Sequence, residues 1–168
     1  MNGMNDREEA GRQKEYIKKI QGMPQIRGKK YLVVTFGCQM NERDSEKIAG
    51  ALEEMGYIRA CSEEDADVLI YNTCTVRENA DKRLYGRLGV CKQFKKNNDD
   101  MIIALCGCMM QEEHVINKIR QSYPYVDVIF GTHNIFKLPE LLYTRLESGS
   151  QIIDIWKDTD EIVEDLPS

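Results

Sequence analysis

The chain has 168 residues, of which 42% are hydrophobic and 30% are charged, and its formal net charge is −5. This length allows one domain with a substantial hydrophobic core, so the fold does not need disulfide bonds. No run of about eighteen apolar residues predicts a membrane span, and the polar N-terminus does not resemble a secretory signal. We therefore expect a cytoplasmic protein without a membrane contact. An acidic chain is also not expected to bind nucleic acid strongly by itself.

The predicted elements alternate between strands and helices. Residues 1–30 contain no strand-like run and form an N-terminal arm, either helical or disordered. Four apolar runs predict buried strands, and helical spacing of apolar residues predicts a helix after each of them. The strands cover 31–36, 67–71, 101–105 and 126–130, and the helices cover about 44–56, 77–96, 111–121 and a stretch from 134. Asp44 or Ser45 is the expected N-cap of the first of these helices.

Short apolar strands that alternate with helices indicate right-handed crossovers and a parallel sheet. The predicted fold is therefore α/β, a doubly wound parallel sheet with helices on both faces. In such sheets the ligand site lies at the carboxyl ends of the strands.

Three of the six cysteines, Cys38, Cys74 and Cys108, come within three residues of the end of a predicted strand. The reducing cytosol makes a disulfide framework unexpected, which leaves metal binding, catalysis or burial. The three cysteines are separated by 36 and 34 residues, close to one strand and helix each time. Because the carboxyl ends of parallel strands meet at one edge, these thiols are candidate ligands of one inorganic centre.

The cysteine spacing favours an iron–sulfur cluster over zinc. Structural zinc sites usually contain C-x₂₋₄-C pairs, and the chain has none. Three thiolates would leave one iron of a [4Fe–4S] cluster open, as a reactive centre requires. Three unrelated buried thiols remain an alternative at this point. Cys106, at the end of the third predicted strand, is either a buried strand residue or a ligand in place of Cys108.

The remaining thiols and a basic stretch have simpler interpretations. Cys61 lies in a polar loop and is interpreted as incidental, whereas Cys91 falls on an apolar helix stripe and is interpreted as a core residue. Residues 77–96 contain seven Lys and Arg against two acidic residues, a local charge of +5. This stretch is either a solvated helix face or a surface that faces phosphates.

The segments around the three cysteines resemble a known family. They read TFGCQMNERDSE (35–46), NTCTVRENA (72–80) and GCMMQ (107–111), and FGTHN (130–134) and VEDLP (163–167) also fit. From about residue 30 onward the chain is similar to the N-terminal domain of tRNA methylthiotransferases, most closely the MiaB-type subgroup. The third segment departs slightly, because the family more often has Ala where Met110 stands.

The resemblance implies cofactors, a reaction and partners. Cys38, Cys74 and Cys108 would bind an auxiliary [4Fe–4S] cluster in a domain that covers 31–150. A second [4Fe–4S] cluster, on a C-x-x-x-C-x-x-C loop of a radical-SAM domain, would cleave S-adenosylmethionine. The enzyme would add a methylthio group to C2 of N6-isopentenyladenosine beside the anticodon of tRNA.

The radical-SAM motif is not found in this sequence. We therefore expect a fragment of a longer transferase, with 151–168 as the start of a linker to the radical-SAM domain. The fragment alone should be inactive and should bind tRNA weakly or not at all, since the RNA-binding domain would also lie elsewhere. Arg83 and Arg87 would face tRNA, and Asn41, Asn72, Arg77 and Glu78 would either support the cluster or serve as turn and cap residues.

Two other functions remain open from the sequence. One is an electron-transfer iron–sulfur module, which would need a fourth thiol such as Cys106. The other is a metal-free α/β interaction domain in which the cysteines are only buried.

Overall fold

The computed structural model describes residues 6–36, 39–73 and 80–154. Within these ranges six strands form one sheet: β1 (Lys30–Thr35), β2 (Ile58–Arg59), β3 (Val68–Thr73), β4 (Ile102–Gly107), β5 (Val128–Phe130) and β6 (Ile152–Asp154). The strand order is β2-β1-β3-β4-β5-β6, and every neighbouring pair is parallel. From β3 to β6, each new strand is therefore added on the same side of the sheet, whereas β2 lies on the opposite side of β1.

The same residues contain five α-helices: α1 (Asp6–Gln21), α2 (Gln39–Glu54), α3 (Ala80–Asn97), α4 (Glu113–Ser122) and α5 (Leu138–Ser148). Three short 3₁₀ helices are found at Pro24–Ile26, Cys108–Gln111 and Thr132–Lys137. Gly149 directly follows α5, and its φ of 71° is the left-handed conformation that commonly closes a helix.

The central strands are buried on both faces, which explains their continuous apolar sequences. In β3, Val68 and Ile70 belong to a core that includes residues of α2 and α5. The alternate residues Leu69 and Tyr71 belong to a second core that includes residues of α3 and α4. Helices thus cover both faces of a parallel sheet, and the predicted doubly wound α/β fold is confirmed.

Two strands were missing from the prediction, and both lie at the edges of the sheet. Strand β2 has two residues, both exposed, and β6 has three residues of intermediate burial. Neither gives the apolar run by which a buried strand is detected. Strand β1 is also less buried than predicted, because only Tyr31 is buried in it.

The predicted N-cap of α2 was wrong. The helix begins at Gln39, so Asp44 and Ser45 lie inside it. Ser45 is nearly buried, and its hydroxyl lies 2.7 Å from the hydroxyl of Thr35. A polar residue that faces the sheet was therefore mistaken for a residue that starts the helix.

Helix α1 packs against α5. The guanidinium of Arg12 donates two hydrogen bonds of 2.9 Å to the Glu140 carboxylate, and Gln13 also contacts this carboxylate. Ile20 at the end of α1 is fully buried in the core beneath α2 and α5. In the part of the chain that the structure describes, no helix is long and apolar enough to cross a membrane.

Candidate metal centre

The carboxyl ends of β1, β3 and β4 lie side by side in the sheet. Thr35 of β1 pairs with Asn72 of β3, and Asn72 pairs with Cys106 of β4. Cys38 comes three residues after Thr35 in the sequence. The strands that precede the three candidate cysteines are therefore direct neighbours.

The second and third cysteines leave the sheet from paired positions. Thr73 pairs with Gly107, and these residues directly precede Cys74 and Cys108. Adjacent strands are about 4.8 Å apart, so the two following segments start close together. Cys38 and Cys74 themselves lie outside the described residues, and their ligand role stays a prediction.

Cys108 is an exposed thiol on a firmly packed segment. It opens the 3₁₀ helix Cys108–Gln111 directly after β4. The next two residues, Met109 and Met110, are 3% and 0% exposed and pack into the core next to α3 and α4. The methionines anchor the segment while the thiol faces outward, as a ligand of a bound group must.

Gly107 allows β4 to pass very close to β3. Its φ of 107° and ψ of −175° lie in a region that is essentially restricted to glycine. A Cβ atom at this position would lie 2.2 Å from the Thr73 carbonyl oxygen and 2.6 Å from the Thr73 nitrogen. Only glycine fits at this point, directly before Cys108.

Cys106 is placed differently from Cys108 although it is only two residues away. It is fully buried, and its thiol donates to Oδ1 of Asn72 at 3.7 Å. Burial raises the pKa of the Cys106 thiol well above its usual range. The predicted burial of Cys106 is confirmed, and this residue belongs to the core that includes residues of α2 and α5.

Behind the exposed edge lies a buried network of hydrogen bonds centred on Asn72, which is 1% exposed. Its side-chain nitrogen donates to the Asn41 carbonyl oxygen at 2.8 Å and to the Ser45 hydroxyl at 3.0 Å. The Asn41 side chain donates in return to the Thr73 carbonyl oxygen at 2.7 Å. These contacts join the first turns of α2 to the end of β3.

The two remaining described thiols agree with their predicted places. Cys61 is exposed, and Cys91 is fully buried on α3. The Cys91 thiol lies 3.1 Å from the Tyr71 hydroxyl, which donates to the Glu63 carboxylate at 2.6 Å. Burial raises the pKa of Cys91 to about 11, which keeps this thiol neutral and unreactive.

Two arginines of the basic helix α3, Arg83 and Arg87, contact different partners. Arg87 forms an ion pair with Glu63, so its charge is compensated within the domain. Arg83 is exposed, and its guanidinium lies 5.5 Å from the centroid of the Phe36 ring. Arg77 and Glu78, which precede α3, lie outside the described residues.

Of the three candidate cysteine ligands, the described residues include only Cys108. Among residues 6–36, 39–73 and 80–154, no group of three His, Cys, Asp or Glu side chains could hold a metal ion. Cys108 supplies an accessible thiol of the type that iron–sulfur clusters require. A centre at this edge would therefore need Cys38 and Cys74.

The supporting residues were only partly predicted. Asn41 and Asn72 were placed beside the site, but the roles of Ser45, Thr73 and Gly107 were not recognised. Polar Thr35 and Thr73 at the ends of apolar strands were the available signal, because a buried hydroxyl normally has a hydrogen-bond partner. The partners themselves come from distant segments and cannot be identified from spacing.

A family model matches residues 30–131, which span β1 to the end of β5 and include all three candidate cysteines. Its description is "Uncharacterized protein family UPF0004".

Curated relatives share one name, tRNA-2-methylthio-N(6)-dimethylallyladenosine synthase. The protein of Lachnoclostridium phytofermentans is 63% identical over 136 residues, which are 81% of this chain and 30% of the relative. The protein of Alkaliphilus oremlandii is 45% identical over 161 residues, 96% of this chain and 34% of the relative. That of Clostridioides difficile is 52% identical over 143 residues, 84% of this chain and 30% of the relative.

The chain thus spans about a third of the length of the curated relatives it matches. The family model covers more than half of the chain, including five of the six strands of the described sheet and all three candidate cysteines. The chain belongs to the UPF0004 family.

Proposed function

We propose that this chain is the auxiliary-cluster domain of a tRNA methylthiotransferase, with Cys38, Cys74 and Cys108 as ligands of a [4Fe–4S] cluster. The observation that carries the proposal is the exposed thiol of Cys108 at the end of β4, next to the strand that ends directly before Cys74. The names of the curated relatives support the reaction class.

The chemistry of the proposed site follows from its ligand number. Three thiolates would hold the cluster and leave one iron accessible to an exogenous sulfur ligand, which is what sulfur insertion requires. The residues of this chain would bind the cluster: β3 and β4 end side by side directly before Cys74 and Cys108, and the buried Met109 and Met110 hold the segment of Cys108 against the core.

The rest of the reaction would depend on other parts of a longer protein. A radical-SAM domain would hold the second [4Fe–4S] cluster and S-adenosylmethionine, and an RNA-binding domain would bind tRNA. The substrate would be N6-dimethylallyladenosine, as the relatives' names indicate, and the methylthio group would enter at C2. An enzyme that modifies tRNA in this way would be located in the cytoplasm.

The buried position of Cys106 argues against an electron carrier. A closed four-thiolate cluster would require a fourth protein ligand, and Cys106 was the candidate from the sequence. Its thiol is fully buried and contacts Asn72, whereas the thiol of Cys108 is exposed. A three-cysteine site therefore agrees better with the described residues than a four-cysteine site.

Anaerobic reconstitution with iron and sulfide tests the cluster. We expect about four irons per chain and a broad visible absorption band in the wild type. Each of Cys38→Ala, Cys74→Ala and Cys108→Ala should lose both signals. Cys61→Ala is the matched control, because it removes an exposed thiol that is not a proposed ligand and should leave the iron content unchanged. Wild-type iron content in Cys108→Ala would refute the ligand assignment.

The reaction is tested in the longer protein. Nucleoside mass spectrometry of tRNA from cells that depend on it should show 2-methylthio-N6-dimethylallyladenosine, and cells with only Cys108→Ala should accumulate N6-dimethylallyladenosine. Normal methylthiolation with the Cys108→Ala protein would show that the cluster on this domain is not required.

A further inference from the structure

One buried hydrogen-bond network reaches all three chain segments that carry the candidate ligands. Its members are at least nine-tenths buried: Asn41, Ser45, Asn72, Thr73 and Cys106 are 6%, 9%, 1%, 0% and 0% exposed. The network joins the ends of β3 and β4 to the first turns of α2, and none of its members is itself a proposed ligand.

The first segment is joined through Asn41, three residues after Cys38. Its side-chain nitrogen donates to the Thr73 carbonyl oxygen at 2.7 Å, and its own carbonyl oxygen accepts from Asn72 at 2.8 Å. The start of α2 is therefore bonded in both directions to the two residues that precede Cys74.

The third segment is joined through the backbone of Cys106, two residues before Cys108. The Thr73 hydroxyl donates to the Cys106 carbonyl oxygen at 2.7 Å. The neighbouring Gly107 lies so close to Thr73 that no side chain fits between the strands. Thr73 thus contacts the first segment with its carbonyl oxygen and the third with its hydroxyl, directly before Cys74.

We propose that Asn72 and Thr73 are positioning residues that set the relative placement of Cys38, Cys74 and Cys108 before the cluster binds. This inference rests on the proposed function, because it assigns these residues to that cluster. Fully satisfied buried networks hold a single arrangement of the segments they join, and preorganised ligands bind metal groups more tightly. The outer partners of metal ligands commonly contribute about 10- to 100-fold to affinity.

The Thr73 side chain offers a direct test, because valine has nearly the same shape and carries a methyl group in place of the hydroxyl. Thr73→Val removes the hydrogen bond to the Cys106 carbonyl oxygen, whereas Thr73→Ser keeps a hydroxyl at this position. Asn41→Leu removes the bond to the Thr73 carbonyl independently, in case one variant does not fold. Ile119→Val is the control for general destabilisation, since Ile119 is buried in α4 and belongs to the other core.

Two measurements separate positioning from stability. The first is the rate at which the reconstituted chain loses iron to a chelator under anaerobic conditions. The second is the affinity of the apo chain for arsenite, in which trivalent arsenic takes three thiolates. We expect Thr73→Val and Asn41→Leu to lose iron roughly tenfold faster and to bind arsenite roughly tenfold more weakly. Thr73→Ser and Ile119→Val should behave like the wild type in both.

The outcomes distinguish this inference from the proposed function. If the wild type takes up a cluster and folded Thr73→Val and Asn41→Leu match it in both measurements, the positioning role is wrong and the cluster assignment stands. If Ile119→Val shows the same losses, the effect is one of stability and the positioning role is again wrong. If the wild type takes up no cluster, the proposed function fails. In that case the arsenite measurement still tests the positioning of the thiols, and unchanged affinity in Thr73→Val and Asn41→Leu would overturn it as well.

Discussion

Replacement of Gly107 by alanine should strongly destabilise the carboxyl edge of the sheet. The backbone of Gly107 has φ 107° and ψ −175°, which costs a non-glycine residue about 1–3 kcal/mol. The new methyl group would also meet the Thr73 carbonyl oxygen at 2.2 Å and Asn72 Oδ1 at 2.9 Å. Such overpacking costs about 1–3 kcal/mol in a well-packed region.

Together these effects predict a loss of roughly 2–6 kcal/mol, a large part of the roughly 5–15 kcal/mol that stabilises an ordinary domain. Urea unfolding of the reduced apo chain, followed by far-UV circular dichroism, measures the change. The matched control is Gly89→Ala in the interior of α3, where a Cβ atom would meet no other atom within 4 Å. This control should gain about 0.5–1 kcal/mol, because alanine is the better helix former.

The reasoning would be refuted if Gly107→Ala unfolded within about 0.5 kcal/mol of the wild type, the range of an inconsequential surface substitution. That result would mean that β4 can move away from β3 at little cost. The segment of Cys108 would then not be held at a fixed distance from the segment of Cys74.

Three further predictions concern other parts of the domain. In the native apo chain, iodoacetamide should modify the exposed Cys61 and Cys108 quickly and the buried Cys91 and Cys106 only after unfolding, and equal labelling of Cys106 and Cys108 in peptide mass spectra would contradict the site. Because burial raises the pKa of Cys91 to about 11 from a usual value of 9.0, the unfolded chain loses this proton first, and stability should fall between about pH 9 and 11 more steeply in the wild type than in Cys91→Ala. Parallel urea midpoints for the two proteins over that range would show that Cys91 does not contribute. Asp127→Asn should cost about 3 kcal/mol in urea unfolding, because the 5% exposed carboxylate accepts from Arg145 at 2.6 Å and pairs with Lys95 at 2.8 Å. The control Asp65→Asn breaks an exposed pair with Lys30 and should cost less than about 1 kcal/mol, so equal losses would contradict the role of burial.

The central sheet could be predicted because burial on both faces leaves a direct trace in the sequence. Strands β3 and β4 are buried along their whole length, and each starts one residue later and ends two residues later than the predicted strand. The edge strands β2 and β6 leave no such trace, since two or three residues paired on one side need no apolar run. Their positions depend on the neighbouring strand rather than on their own sequence.

The ligand role of the three cysteines stays a prediction, whereas most of the buried residues that support their segments were not predicted. The placement of Cys108 after β4 follows from the alternation of strands and helices, as does the burial of Cys91 on the α3 stripe. Ser45 was assigned to a helix cap because Ser is common there, whereas its partners are Thr35 and Asn72. Hydrogen bonds between residues 10 and 27 positions apart are decided by how the segments pack, which spacing does not reveal.

The most direct test of the central claim is the Mössbauer spectrum of the chain reconstituted with ⁵⁷Fe, recorded before and after addition of a small thiolate. Three protein ligands predict that about one iron in four has a distinct environment and that the thiolate changes only this component. Equivalent irons that do not respond to the thiolate would show a closed cluster with four protein ligands, and would contradict the three-cysteine site.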